Sequence, residues 1–426
     1  MFKNFVQKKL EKRVREYFAK HPDVKLVTVT GSVGKTSSKT AIATVLSQQY
    51  RVRMRNDNHN THISAPVAIL GIDFPENPRS FLQWWAVLRA AKKRVKNPTD
   101  VDVIVQELGS DRVGEIAHFG TYLRPHIGVV TGVTPEHMEF FGTIETVAQE
   151  ELTAANFSET ALINRDDIDG RFANFLTNEN INTYGVSGSA EYRFEEDDFT
   201  LEKGHTGKVI APELNEPLEV SAHVLGEHSM RPVMAAVAVA CKMGVLPANI
   251  AKGVSEIRAA TGRMNVLEGV ENTVLIDDTY NSSPAAASAA LQTLYTLAAP
   301  QRIAILGSMN ELGSTSADAH RELGEMCDPS LLAWVVTIGD EAEKYLAPAA
   351  RARGCQVKSF KSAIQAGAFV HQMLEPQAIV LAKGSQGDIY AEEALKILLH
   401  TNRYDHLLVR QTPEWLAIKQ TFFGSL

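Results

Sequence analysis

The sequence predicts an α/β protein of two doubly wound parallel-sheet domains, and three observations carry that prediction. The apolar run Lys25–Thr30 passes through a glycine-rich turn into a helical stretch ending at Leu46, which is how a βαβ unit begins. Four later apolar runs, NTVLIDD, RIAILGS, WVVTIGD and AIVLAKGS, each end at turn residues and alternate with helical stretches. Composition is ordinary, with 44% hydrophobic and 22% charged residues, so disorder is excluded and 426 residues suffice for two or three cores. The predicted order is a P-loop mononucleotide-binding central domain, then a Rossmann-like C-terminal α/β domain.

The chain opens on residues 2–20, an amphipathic helix by periodicity. Phe2, Val6, Leu10, Val14 and Phe18 fall on one face, with Lys3, Lys8, Lys9, Lys12, Arg13 and Arg15 around it. Residues 1–24 are therefore read as a basic helical segment, 25–260 as the central domain and 261–426 as the C-terminal domain. Within the central domain VDVIVQELG (101–109) is an apolar strand ending in an acid, and HIGVVTGV and TALINRDD repeat the form. Residues 190–222 alternate short β-like runs with charges, the pattern of antiparallel strands. An Ala-rich helix is expected at 230–243. RAATGR (258–263) reads as the joint between two domains with a cleft between them.

Charge is unevenly distributed. Residues 1–99 carry 19 Lys and Arg against 6 Asp and Glu, although the whole chain has a net charge of -7. A basic front suits anionic partners: nucleotide phosphates, an anionic substrate, or a peripheral membrane or partner-protein surface. Cys241, Cys327 and Cys355 are too few and too scattered for a disulfide framework or a cysteine zinc site. With no apolar signal-peptide core and no run of eighteen apolar residues, the expected location is cytoplasmic.

Thr30-Gly31-Ser32-Val33-Gly34-Lys35-Thr36 is the strongest local signal. Glycines let backbone N–H groups close around phosphate, Lys35 supplies positive charge, and the Thr36 hydroxyl suits Mg²⁺. The full pattern would have glycine at position 29, where this chain has Val29, so the loop is a shortened G-x-x-G-K-T form. Glu107 ends the next apolar strand, where such proteins place an acid directed at Mg²⁺. His137, in Thr134-Pro135-Glu136-His137, offers a second metal ligand or a structural histidine, and its spacing alone does not choose.

Six ordered segments, TGSVGKTSSK, ELGSDRVGEIAHFGTYLRPHIGVVTGVTPEHMEFFGTIETVA, GRMNVLEG, LIDDTYNSSP, LGSMNELG and VLAKGSQG, resemble the ATP-dependent Mur ligases. The resemblance runs from about residue 25 to 400 and is nearest the MurF type, which adds D-alanyl-D-alanine to a UDP-muramoyl tripeptide. Such ligases phosphorylate a carboxylate with ATP and let an amine attack the acyl phosphate. The resemblance implies ATP and Mg²⁺ as cofactors, small-molecule or peptide substrates, and no nucleic acid. Gly31, Ser32, Val33, Gly34, Lys35, Thr36 and Ser37 would hold the ATP phosphates. Thr36, Glu107 and His137 would be metal ligands, and Arg263 would reach the phosphates from the joint. Asp278 would hydrogen-bond the ribose, with Tyr280 and Asn281 beside the nucleotide. Lys383 and Ser385, at a strand end, would meet the amino-acid or dipeptide substrate.

Four departures from the family pattern qualify these assignments. Only the 24-residue basic segment precedes the first strand, so the family's separate UDP-sugar-binding domain is expected to be lacking. The substrate loop Asn-Asn-Glu reads Asn60-Thr61-His62 here, leaving Asn60 and His62 as the candidates. The base-binding motif reads Gly226-Glu227-His228-Ser229-Met230-Arg231-Pro232, which keeps only His228. The lysine that most Mur ligases carbamylate aligns with Glu151, whose carboxylate would supply the same charge and hard oxygens toward Mg²⁺. A Mur-type ligase for another peptide polymer, cyanophycin- or polyglutamate-like, and a nucleotide-binding partner protein with little ligase activity stay open on these departures.

Overall fold

The structure is a computed structural model describing residues 2–55, 59–135 and 138–425. The chain divides into two compact units. One comprises Met1–Thr134, Phe140–His223 and Met230–Arg258, and the other Ala259–Leu426 with Pro135–Glu139 and Val224–Ser229.

The first unit is built on a parallel sheet of β1 (Lys25–Thr30), β2 (Val52–Arg53), β3 (Val103–Glu107), β4 (Ile127–Val130), β5 (Thr160–Asn164) and β6 (Ile181–Tyr184). Its order is β2-β3-β1-β4-β5-β6, and every pairing is parallel. Strands covered on both faces need no polar alternation, which is why β1 is buried from Leu26 to Thr30 and β3 throughout. Because β1 lies between β3 and β4, whatever follows it is flanked by the ends of both. A separate antiparallel sheet of β7 (Arg193–Thr200), β8 (Gly204–Ile210) and β9 (Leu218–Ala222) occupies the region expected to be antiparallel, with a register shift between Glu196 and Asp198.

The N-terminal helix spans Phe2–Lys20 and buries Val6, Leu10, Val14 and Tyr17. Phe18, placed on this face by periodicity, is only partly buried. The buried side chains join Trp84, Val87 and Ala91 of the helix Phe81–Lys96 in one core. The Ala-rich helix runs Glu227–Lys242, beginning three residues before its expected start, and is buried from Val233 to Cys241. All three cysteines are free and buried.

The second unit holds β10 (Asn265–Glu268), β11 (Val274–Asp278), β12 (Arg302–Gly307), β13 (Trp334–Ile338), β14 (Val357–Phe360) and β15 (Ile379–Lys383) in the order β10-β11-β15-β12-β13-β14. All pairings are parallel except β10 with β11. The four apolar runs are β11, β12, β13 and β15. The two edge strands, β10 and β14, are short and half-exposed, so they carry no apolar run. Chain crossovers bring β15 between β11 and β12, and three strand ends converge there.

Candidate active site

In the first unit the loop after β1 is fixed by its neighbours. Gly31 has φ of 131°, and a Cβ there would stand 2.3 Å from the Thr131 hydroxyl oxygen and 2.9 Å from the Gly132 nitrogen. Only glycine fits that approach. Thr131, just past β4, donates its hydroxyl to the carbonyl oxygens of Thr30 at 2.9 Å and Val33 at 2.5 Å. The Ser32 hydroxyl accepts from the Thr134 N–H at 2.6 Å. Gly34, with φ of 82°, then caps the helix Lys35–Leu46, and Ser37 follows in its first turn. A helix N-terminus opening out of a glycine loop directs N–H groups and dipole at an anion. Lys35 bends back over this loop, its ammonium donating to the Gly31 carbonyl.

Glu107 ends β3 beside the loop and is 3% exposed. Its carboxylate accepts from the Thr36 hydroxyl at 3.0 Å and the Asn60 amide at 3.1 Å, and Lys39 Nζ stands 3.3 Å away. Burial by itself would raise its pKa, but Lys39, Lys35 and these hydrogen bonds outweigh burial and hold the carboxyl below its usual range. Glu107 is thus an anion beside a phosphate-type loop, and with the Thr36 hydroxyl it presents the hard oxygens that Mg²⁺ takes.

The other sequence candidates in this unit separate. Asn60 turns to Glu107. His62 turns away, packing edge-on against His118 with centroids 4.6 Å apart and tilted against Phe119. Burial, then His118, lowers its pKa. Glu151 lies under the loop itself: it accepts from the Gly31 N–H at 2.8 Å and from the Thr30 hydroxyl. Its neighbour Glu150 is engaged elsewhere, accepting from the N–H groups of Gly114 and Ile116 at 2.7 and 2.6 Å. His137 lies outside the described residues.

In the second unit the candidates gather at the ends of β11 and β15. Lys383 Nζ is 2.6 Å from Asp278 Oδ2 and donates to the Asn281 carbonyl at 3.0 Å. Asp278 also accepts from the Met264 N–H at 3.2 Å. Ser385 accepts from the Asn310 N–H at 2.8 Å and donates to the Ser282 carbonyl at 3.4 Å, tying adjacent strand-end loops together. Arg263 lies over the Tyr280 ring, 4.4 Å from its centroid. His228 sits in the first turn of Glu227–Lys242, where a Cβ on Gly226 would come within 3.0 Å of its ring.

Three contributors escaped sequence reasoning. Lys39 is four residues after Lys35 on one helix face, a spacing that could have signalled it. Thr131 offered only its place after an apolar run. Arg231, inside the altered base motif, is 3.0 Å from Asp167, a pairing across 64 residues that no local pattern shows.

Comparison with known proteins places this arrangement. The Mur ligase middle domain matches residues 29–240, and the Mur ligase, glutamate ligase domain matches residues 262–386. The chain belongs to the Mur ligase family. Among curated relatives, this Mur ligase is 28% identical over 318 residues to the UDP-N-acetylmuramoyl-tripeptide--D-alanyl-D-alanine ligase of Bacillus subtilis, covering 74% of the chain and 63% of that protein. To the ligase of the same name from Escherichia coli it is 28% identical over 330 residues, covering 75% and 65%. The chain thus spans slightly under two thirds of the length of these two relatives. In fold it is similar to MurF from Acinetobacter baumannii, with a TM-score of 0.76 at 22% identity, covering 94% of this chain and 81% of that one. It is also similar to the MurF ligase of Thermotoga maritima in complex with ADP, with a TM-score of 0.73 at 22% identity over 92% and 83%. Among the described residues, no helix of this Mur ligase is long and apolar enough to cross a membrane.

Proposed function

We propose that this Mur ligase joins a carboxylate to an amine at the expense of ATP, in the manner of MurF. The proposed acceptor is a UDP-muramoyl peptide and the proposed donor D-alanyl-D-alanine, in cytoplasmic peptidoglycan precursor synthesis. The observation that carries this reading is the placing of Glu107, ionised and buried between Thr36, Lys39 and Asn60 at the edge of the phosphate loop.

The acceptor carboxylate attacks the γ-phosphorus of ATP and ADP leaves; the amine then attacks the acyl carbon, loses a proton, and phosphate leaves. For the first step the chain must gather negative charge and neutralise it, the part of phosphoryl transfer that a protein can supply. Backbone N–H groups of Val33 and Gly34 and the Lys35 ammonium serve the phosphates in this reading, since the Gly31 and Ser32 N–H groups already donate to Glu151 and to the Gly132 carbonyl. Thr36 and Glu107 would hold Mg²⁺, which offsets charge between ATP and the acceptor when bound. Glu151 braces the loop through Gly31 and adds negative charge at the position that aligns with the family's carbamylated lysine. Arg263, Asp278, Tyr280 and Asn281 are assigned to the nucleotide, and Lys383 and Ser385 to the amine substrate.

The test is phosphate release screened across UDP-muramoyl peptides, free peptides and several amines, each with and without acceptor. Release requiring both UDP-muramoyl tripeptide and D-alanyl-D-alanine is expected. Release with free peptides alone would assign the chain to another peptide polymer. Absence of any acceptor-dependent turnover at saturating ATP and Mg²⁺ would falsify the ligase reading.

A further inference from the structure

The helices Phe2–Lys20 and Phe81–Lys96 pack side by side and run parallel. At one end the Phe2 and Phe81 rings are 4.2 Å apart, and at the other Lys20 Nζ donates to the Lys96 carbonyl at 2.8 Å. Their inward faces fill the core described above. What remains outside is unusual for a solvated surface. Phe5 is 44% exposed, Phe81 60%, Leu82 82% and Trp85 56%, all in the opening turns of the two helices. Apolar groups gathered at one end of a helix pair mark a contact surface rather than chance exposure.

The charge along the two helices is mostly basic. On the second helix Leu82, Trp85, Arg89, Lys92, Lys93 and Lys96 follow one exposed stripe, apolar at its start and basic along the rest. That helix has no acidic residue. The two acids of the first helix are already engaged, Glu16 with Lys12 and Arg13, and Glu11 with His118. Among the described residues no carboxylate pairs with Lys3, Lys8, Lys9, Arg89, Lys92 or Lys93.

We propose that this helix pair is a docking face for the anionic surface of a phospholipid bilayer. Phe5, Phe81, Leu82 and Trp85 enter the interfacial layer, and the lysines and arginines lie at the level of lipid phosphates. An aromatic and aliphatic tip framed by basic residues is the composition that binds such a surface in its plane. A second copy of the chain on the same face would set lysine against lysine, which charge repulsion opposes. The proposal is independent of the ligase reading.

Flotation of the full chain with vesicles tests it, comparing equal parts of phosphatidylglycerol and phosphatidylcholine with phosphatidylcholine alone. The protein should float with the anionic vesicles at low salt, sink at high salt, and ignore the neutral ones. Trp85 emission should shift to the blue on binding, a shift absent in Trp85→Phe. Leu82→Ser/Trp85→Ser and Lys92→Glu/Lys93→Glu should each reduce the bound fraction at least about tenfold. Because these side chains are exposed, melting temperature and ATP turnover should hold. Wild-type protein that fails to float with anionic vesicles at low salt overturns the proposal, as does equal flotation with neutral ones. Self-association lost in the same variants, with no vesicle binding, would assign the face to a second copy instead.

Discussion

Asp278 and Lys383 are register partners on the adjacent parallel strands β11 and β15, and their charged groups meet at 2.6 Å. The resemblance to Mur ligases assigned one to a ribose and the other to an amine substrate. In the structure each is the other's partner, at 8% and 2% exposure. Both assignments can stand together only if ligands approach a pair whose geometry is already set by the strand register. The pair therefore carries stability as well as placement.

Removing one member leaves a buried charge without compensation, which costs roughly 3–5 kcal/mol. Lys383→Met should lose stability on that scale in urea denaturation. Lys383→Met/Asp278→Asn should recover part of it, because no lone charge remains. A single variant as stable as wild type would show that water already reaches the pair.

Lys35→Ala should abolish ATP turnover with the fold retained. Its ammonium lies over the phosphate loop on the Gly31 carbonyl, and losing such a charge removes roughly 3–5 kcal/mol of transition-state stabilisation. Phosphate release measured on folded protein checks this, and near-wild-type release contradicts it.

Glu151→Gln separates charge from shape. An amide oxygen can still accept from the Gly31 N–H, so the loop should keep its form while the negative charge is gone. The variant should lose most of its activity and need more Mg²⁺ for what remains. Bicarbonate should leave the wild-type rate unaltered, since a carboxylate needs no CO₂ to form. Full activity of the variant at subsaturating Mg²⁺ would mean that the charge does nothing.

Asp277 makes stability depend on pH. Burial pushes its carboxyl up to about 7, against hydrogen bonds from the Thr279 N–H and hydroxyl and from the Gly262 N–H. A carboxyl that binds its proton more tightly when folded stabilises fully below its unfolded value, near 3.8, and this stability is lost as pH rises through about 7. Between pH 5 and 8 wild type should lose roughly 3 kcal/mol that Asp277→Asn does not. Parallel melting curves for the two proteins across that range would show that Asp277 is ionised throughout.

The legible parts of this protein were those written locally. Thr30 to Thr36 announced itself because strand, turn and helix are consecutive, and the glycines at 31 and 34 are demanded by backbone geometry. Four strands of the second sheet were visible because burial on both faces makes them continuously apolar, whereas β10 and β14 are edges and lack that signature. Val6, Leu10 and Val14 were correctly turned inward, but the helix closes its face with Tyr17 rather than Phe18, a drift that periodicity alone does not resolve. What sequence could not show was pairing at a distance. Asn60 on Glu107, Glu151 under Gly31 and Lys383 against Asp278 each depend on strand order, which a single chain read from end to end does not display.

The central place of β1 has a consequence for how the protein is made. The hydrogen bond from the Thr131 hydroxyl to Thr30 spans 101 residues, and β3 and β4 both emerge long after the strand that they flank. A ribosome therefore releases KLVTVT as a naked, apolar segment and must extend the chain past Val130 before both its edges are paired. During that interval its strand edges stay open, the exposure that makes incompletely paired intermediates prone to associate. The phosphate loop, in turn, takes its braced shape only once both Thr131 and Glu151 have left the exit tunnel.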